Sequence, residues 1–121
     1  HTSLEWMIER HGLDENWGEQ VVLDQRNRLN MIHTLPGSSN TPHWHPDMDE
    51  LWFIAKGSCE WTVDDDEPFI ANKGDLVFVG AGRLHGIRTV GDESSIRYAM
   101  TSPDVIHYYL DNPDDPRPPK R

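Results

Sequence analysis

Nine short runs rich in apolar and β-branched residues crowd the stretch between Gln20 and Leu110, and most are bounded by glycine, proline, asparagine or aspartate. They are Gln20 to Leu23, Arg28 to Leu35, Leu51 to Ala55, Ser58 to Val63, Phe69 to Ala71, Leu76 to Val79, Ile87 to Val90, Ser95 to Thr101 and Val105 to Leu110. Runs of this length and composition are strands. So many short strands in one small domain must share a core by closing into a sandwich or barrel, so the fold class is all-β. Lys56-Gly57, Asn72 to Asp75 and Gly91-Asp92 read as tight reversals, which predicts mostly antiparallel pairing between consecutive strands. The acidic run Asp64 to Glu67 lacks the alternating oxygen ligands and internal glycine of a calcium loop and reads as a solvated turn.

Flanking segments differ in pattern. Leu4, Met7 and Ile8 stand at helical spacing ahead of Gly12, so residues 1–19 are expected to form a short helix or arm. Residues 20–112 then form the barrel, and residues 113–121, with four prolines and no apolar anchor, a flexible tail.

A chain of 121 residues fits one domain with one core. Its formal net charge of −10 repels phosphate backbones and anionic headgroups, so neither nucleic acid nor membrane is expected as a partner. No apolar run reaches the roughly 18 residues of a membrane-spanning helix, and no charged segment followed by an apolar one opens the chain. Cys59 is the sole cysteine, which suits a reducing compartment, and a cytoplasmic location is expected.

The residues that carry chemistry lie in Gly37 to Glu50 and near His85. His43 and His45 are two apart, so in extended chain their imidazoles share one face. Glu50 follows a Pro-Asp turn and re-enters at the head of the next strand, and His85 follows the turn Gly80-Ala81-Gly82. Imidazole nitrogens with one carboxylate oxygen suit a single divalent first-row metal, and four ligands on an octahedral ion leave neighbouring positions for water, substrate or dioxygen. Iron, manganese, cobalt, nickel, copper and zinc all accept such a set. His11, His33 and His107 are read as hydrogen-bonded structural histidines.

These residues resemble the cupin superfamily. Its first motif, glycine, five residues, His-X-His, three or four residues, Glu, six residues and glycine, is met by Gly37, His43, His45, Glu50 and Gly57. Its second is met by Gly74, Gly82 and His85, with Gly80 where proline is usual and Thr89 where asparagine is usual. The resemblance, over residues 28 to 101, implies a double-stranded β-helix, or jelly-roll, barrel with the metal inside. It leaves the reaction open, since such barrels carry dioxygenases, decarboxylases, isomerases, lyases and binding proteins.

Pocket residues are read from strand parity. Trp52 and Ile54 share a face with Glu50 and are candidates for an apolar wall. Tyr98 and Met100 alternate along a late strand, with Tyr98 as a candidate proton donor. Arg83 in the second-motif turn is a candidate for holding a substrate carboxylate. Trp44, between the two histidines, should face away from the metal. The leading expectation is a mononuclear metal enzyme acting on a small oxygen-rich organic molecule, with oxygen insertion as its reaction. The alternatives are a non-redox isomerase, lyase or decarboxylase, and a non-catalytic binding or sensing module. A homodimer is expected, with Trp6, Trp17 and Trp61 as candidate anchors.

Overall fold

The computed structural model describes residues 1–117. Helix α1 (Leu4–His11) begins where the Ser3 hydroxyl accepts a hydrogen bond from the Trp6 N–H at 3.1 Å, and ends at Gly12, whose N–H donates to the Ile8 carbonyl at 2.7 Å. Eleven strands follow: β1 (Trp17–Leu23), β2 (Arg28–Thr34), β3 (His43–Trp44), β4 (Glu50–Lys56), β5 (Ser58–Val63), β6 (Phe69–Asn72), β7 (Leu76–Val79), β8 (His85–Val90), β9 (Ser95–Thr101), β10 (His107–Tyr109) and β11 (Asn112–Arg117). They form two antiparallel sheets, ordered β1-β2-β9-β4-β7 and β11-β10-β3-β8-β5-β6. Among the described residues no helix is long and apolar enough to cross a membrane.

The core lies between the sheets. Trp52 and Ile54 of β4, Val77 and Val79 of β7 and Ala99 of β9 meet Cys59 and Trp61 of β5, Ala71 of β6 and Ile87 of β8. Thr89 of the second sheet bonds Thr34 at 2.6 Å and Ser95 at 2.7 Å in the first, hydroxyl to hydroxyl. Threonine thus fastens the two sheets at the position where cupins usually carry asparagine. A second apolar cluster, Met7, Met31, Ala55 and Ile96, lies on the outer side of the first sheet and is covered by α1. This cover makes the outer side of β2 and β9 apolar, while Arg28, Asn30 and Thr34 of β2 and Arg97 of β9 face the inside.

Several expectations are corrected here. The reversals at Gly57, at Asn72 to Asp75 and at Gly91 are not hairpins, because each carries the chain from one sheet to the other; β4 pairs with β9 and β7, and β5 pairs with β8 and β6. Gly57 shows the constraint: its φ is +71°, and a Cβ there would stand 2.5 Å from the Ser94 carbonyl oxygen. The barrel begins at Trp17, inside the expected arm. Part of the expected tail is the strand β11, paired with β10 through His107 to Arg117 and Tyr109 to Asn112. Its prolines are accommodated because an edge strand leaves half of its N–H groups unused. Residues 118–121 of that tail lie outside the described residues. Of the tryptophans expected as dimer anchors, Trp61 is fully buried in the core, and Trp17 stacks between His11 and His33 at ring-centroid distances of 4.6 and 5.4 Å.

Candidate metal centre

The ligand residues come from three strands and one loop. His43 of β3 is the cross-strand partner of His85 at the head of β8, and Glu50 opens β4 on the facing sheet. His45 follows β3 in the loop. Two hydrogen bonds tie this loop to the second-motif turn: the Gly82 N–H donates to the His45 carbonyl at 2.7 Å, and the Ala81 N–H donates to Asp49 Oδ1 at 2.9 Å. Residues far apart in sequence are thereby held in one register.

One potential ligand atom from each of His43, His45, Glu50 and His85 falls within 4.8 Å of the others, and all four residues are buried. Ions of this class take nitrogen ligands at roughly 2.0–2.1 Å, so opposite ligands on a single ion stand a little over 4 Å apart, close to this span. The ring nitrogens divide the work. Nδ1 of His43 donates to the Thr41 carbonyl at 3.0 Å, that of His45 to the Ile106 carbonyl at 2.9 Å, and that of His85 to the Arg83 carbonyl at 3.0 Å. A carbonyl can only accept, so each Nδ1 carries its proton and a neutral ring presents its lone pair at Nε2. Such outer hydrogen bonds orient ligating histidines and raise their basicity.

The inner atoms lack comparable partners. Nε2 of His85 and of His45 lie 3.0 and 3.3 Å from Glu50 Oε1, near enough for charge attraction. The alignment is poor, however, and all three atoms are buried without a hydrogen-bond partner. Lone pairs converging on one point without donors between them are the arrangement a cation satisfies, and the residues fit a divalent transition ion. The charge pattern agrees. Burial pushes His43 down to about 4, helped by the neighbouring His85 and His45. Burial alone would raise Glu50, but contact with His45 and His85 holds its carboxyl well below the usual range. His45 is pulled down by burial yet ends above its ordinary value because Glu50 lies against it.

The centre opens into a cavity of about 260 Å³ lined by Trp52, Ala99, Asn30, Arg97, Arg28 and His107, among others. Trp52 therefore stands where its parity with Glu50 put it, whereas Ile54 is sealed in the core. Tyr98 and Met100 do not line the barrel. They lie on the outer face of the first sheet, Tyr98 stacked on Phe53 at 5.8 Å, and the inward residues of β9 are Arg97 and Ala99. The expectation was one residue out of phase, because Ile96 and Tyr98 are covered from outside by α1 and its neighbours. Arg83 is held away from the cavity by the turn after β5, with Nε donating to Asp64 at 3.0 Å and Nη2 to Asp66. Trp44 faces outward and stacks on Tyr108 at 5.5 Å.

His107, read from the sequence as structural, stands beside the centre, its ring 4.5 Å from His45 and 4.9 Å from His43. Burial and these two histidines push it down to about 3, so it is neutral. His11 and His33 do serve structure: His11 Nε2 meets Glu19 at 2.7 Å, and His33 Nδ1 donates to the Glu15 carbonyl at 2.7 Å. A larger cleft of about 620 Å³ lies under α1 on the outer face, remote from the ligand set.

The family described as Cupin domain matches residues 30–114. No curated protein matches the chain. Among solved structures, it is similar to a conserved protein with a double-stranded β-helix domain from Klebsiella pneumoniae, at 22% identity over 74% of each chain with a TM-score of 0.67. It is also similar to KdgF from Halomonas sp., at 19% identity over 74% of this chain and 82% of that one, TM-score 0.66. The polyketide cyclase RemF from Streptomyces resistomycificus aligns at 16% identity over 87% of this chain and 71% of its own, TM-score 0.69. At such identities the likeness is one of fold.

Proposed function

This chain belongs to the cupin family, and on that premise we propose that it is a mononuclear metal-dependent enzyme acting on a small, oxygen-rich organic molecule, with oxygen insertion as the reaction. One observation carries the reading: three imidazoles anchored through Nδ1 turn their Nε2 atoms toward the same buried carboxylate, at the inner end of a cavity that admits a small molecule. His43, His45, Glu50 and His85 would hold the ion. A divalent transition metal bound there supplies Lewis acidity and, if redox-active, a means of passing electrons between substrate and dioxygen. The chain's part is to fix the ligand rings, hold Glu50 ionised and surround the substrate with the buried walls of Trp52 and Ala99, which exclude water. Cytoplasmic residence belongs to the same proposal, supported by Cys59 being buried and unpaired.

A non-redox isomerase, lyase or decarboxylase is the second reading, favoured by His107. Its neutral imidazole stands within 5 Å of two ligand rings, where a base would be needed. The two readings separate in an oxygen electrode. The iron-loaded protein should consume oxygen with a chelating diketone or 2-oxo acid, and the zinc-loaded protein should not. Turnover with zinc and no oxygen uptake with iron would overturn oxygen insertion in favour of the second reading.

A further inference from the structure

Arg97 is the least expected residue in the barrel. It is 4% exposed, points inward from β9 and lines the same cavity as His43, Glu50 and Trp52. A guanidinium out of water needs anionic or well-aligned acceptors on most of its N–H groups. Here Nη1 donates to Thr34 Oγ1 at 3.1 Å, the buried Cys59 sulfur also contacts the guanidinium, Cζ lies 5.6 Å from the Trp52 ring, and Nε is buried without a hydrogen-bond partner. Thr34 is itself fixed by Thr89, so one end of the guanidinium is held while its Nε–H is unused.

In a chain of net charge −10, Arg97 places a guanidinium in the wall of this cavity. Asn30 Oδ1, buried in the same wall without a partner, is an acceptor and calls for an O–H or N–H group elsewhere on the ligand.

We propose that Arg97 is a substrate-binding residue that receives a carboxylate of the ligand, so that the molecules this cavity selects are small organic acids. A planar carboxylate matches the edge of a guanidinium with two parallel hydrogen bonds, and burial beside Trp52 removes the competing water. The proposal takes from the functional reading only that the cavity is a ligand site; it does not require the metal. The role that the sequence suggested for Arg83 passes to a residue inside the barrel.

The test titrates the EDTA-treated protein by calorimetry with succinate, its neutral diamide and inorganic phosphate, then repeats the series with the metal-loaded protein. Succinate should bind the metal-free wild type, and the diamide should bind at least tenfold more weakly. Arg97→Gln should lose at least tenfold in succinate affinity, and Arg97→Lys should lose less. Since the buried variant can fail to fold, the Arg97 Nε–H resonance of the wild type, identified through its contact with the Trp52 ring, provides an independent reading; it should shift with succinate and not with the diamide. Equal binding of acid and diamide, wild-type affinity in a folded Arg97→Gln, or an unmoved Nε–H at saturating succinate would overturn the proposal. Phosphate binding as tight as succinate would overturn the carboxylate assignment. Failure to load metal would count against the proposed reaction and leave the metal-free series to decide on Arg97.

Discussion

Replacing Gly57 by alanine tests the way the chain passes between its sheets. At φ +71° an alanine sits in left-handed backbone, which costs about 1–2 kcal/mol. Its Cβ would also stand 2.5 Å from the Ser94 carbonyl oxygen and 3.1 Å from the Ser95 Cα, both backbone atoms that cannot swing aside. Overpacking of this kind costs about 1–3 kcal/mol, so the total expected is roughly 2–5 kcal/mol. The natural comparison is Gly74→Ala, where φ is +92° and nothing lies within 4 Å of the added Cβ; there only the backbone cost applies. With a urea slope of about 1–3 kcal/mol per molar, a loss near 3 kcal/mol lowers the midpoint by at least about 1 M, a shift that equilibrium unfolding resolves easily. The slope itself should not change. If Gly57→Ala and Gly74→Ala lowered the midpoint equally, the close approach to Ser94 would be wrong, and with it the placement of the turn against β9.

Other outcomes follow from the same structure. His43, held down at about 4, His107, at about 3, and His33, lowered by burial, stay neutral in the fold while the unfolded chain protonates them near 6.5; His45, raised by Glu50, acts in the opposite sense. The unfolded state therefore binds more protons between about pH 6.5 and 4, and metal-free stability should fall on acidification through that window by up to about 1.4 kcal/mol per pH unit for each net proton; a flat profile in urea titrations at successive pH values would contradict this. A metal added at a hundredfold excess over its dissociation constant should stabilise the protein by about 2.7 kcal/mol, visible as a raised melting temperature that EDTA reverses; His43→Ala should abolish the shift. On the outer face of the first sheet Leu51, Phe53, Leu76, Phe78 and Met100 form an uncharged patch, with Leu76 and Phe78 about two-thirds exposed. We propose that a second copy covers it, since a contiguous exposed apolar patch marks an interaction site and a two-fold pair would bury the same patch on both copies. Light scattering should find a dimer that Phe78→Asp converts to a monomer, and a monomeric wild type at tens of micromolar would refute the pairing.

The ligand set was readable in the sequence because strand parity and two short motifs leave His43, His45, Glu50 and His85 few other ways to point. Parity failed one strand later for a physical reason. In β9 the outward residues Ile96 and Tyr98 are covered by α1 and its neighbours, so the more apolar face of this strand is its outer one and alternation points the wrong way. Arg97 was hidden by the same pattern, since an arginine between apolar neighbours reads as the solvent-facing member. Glycine turns at Gly57 and Gly91 have the composition of hairpin turns; which sheet receives the next strand is decided by long-range pairing that no local signal encodes. β10 and β11 show the limit from the other side, because three residues of one and a proline-bearing edge strand carry little intrinsic preference until they pair. His107 reaches the centre through the pairing of β10 with β3, the strand that carries His43.

The central claim is that these four side chains hold a single ion, and metal analysis tests it most directly. Untagged protein, exchanged into metal-free buffer after loading, should retain one divalent transition ion per chain, while His45→Ala, shown to be folded by its circular dichroism, should retain almost none. Equal metal content in the wild type and the folded variant would contradict the account.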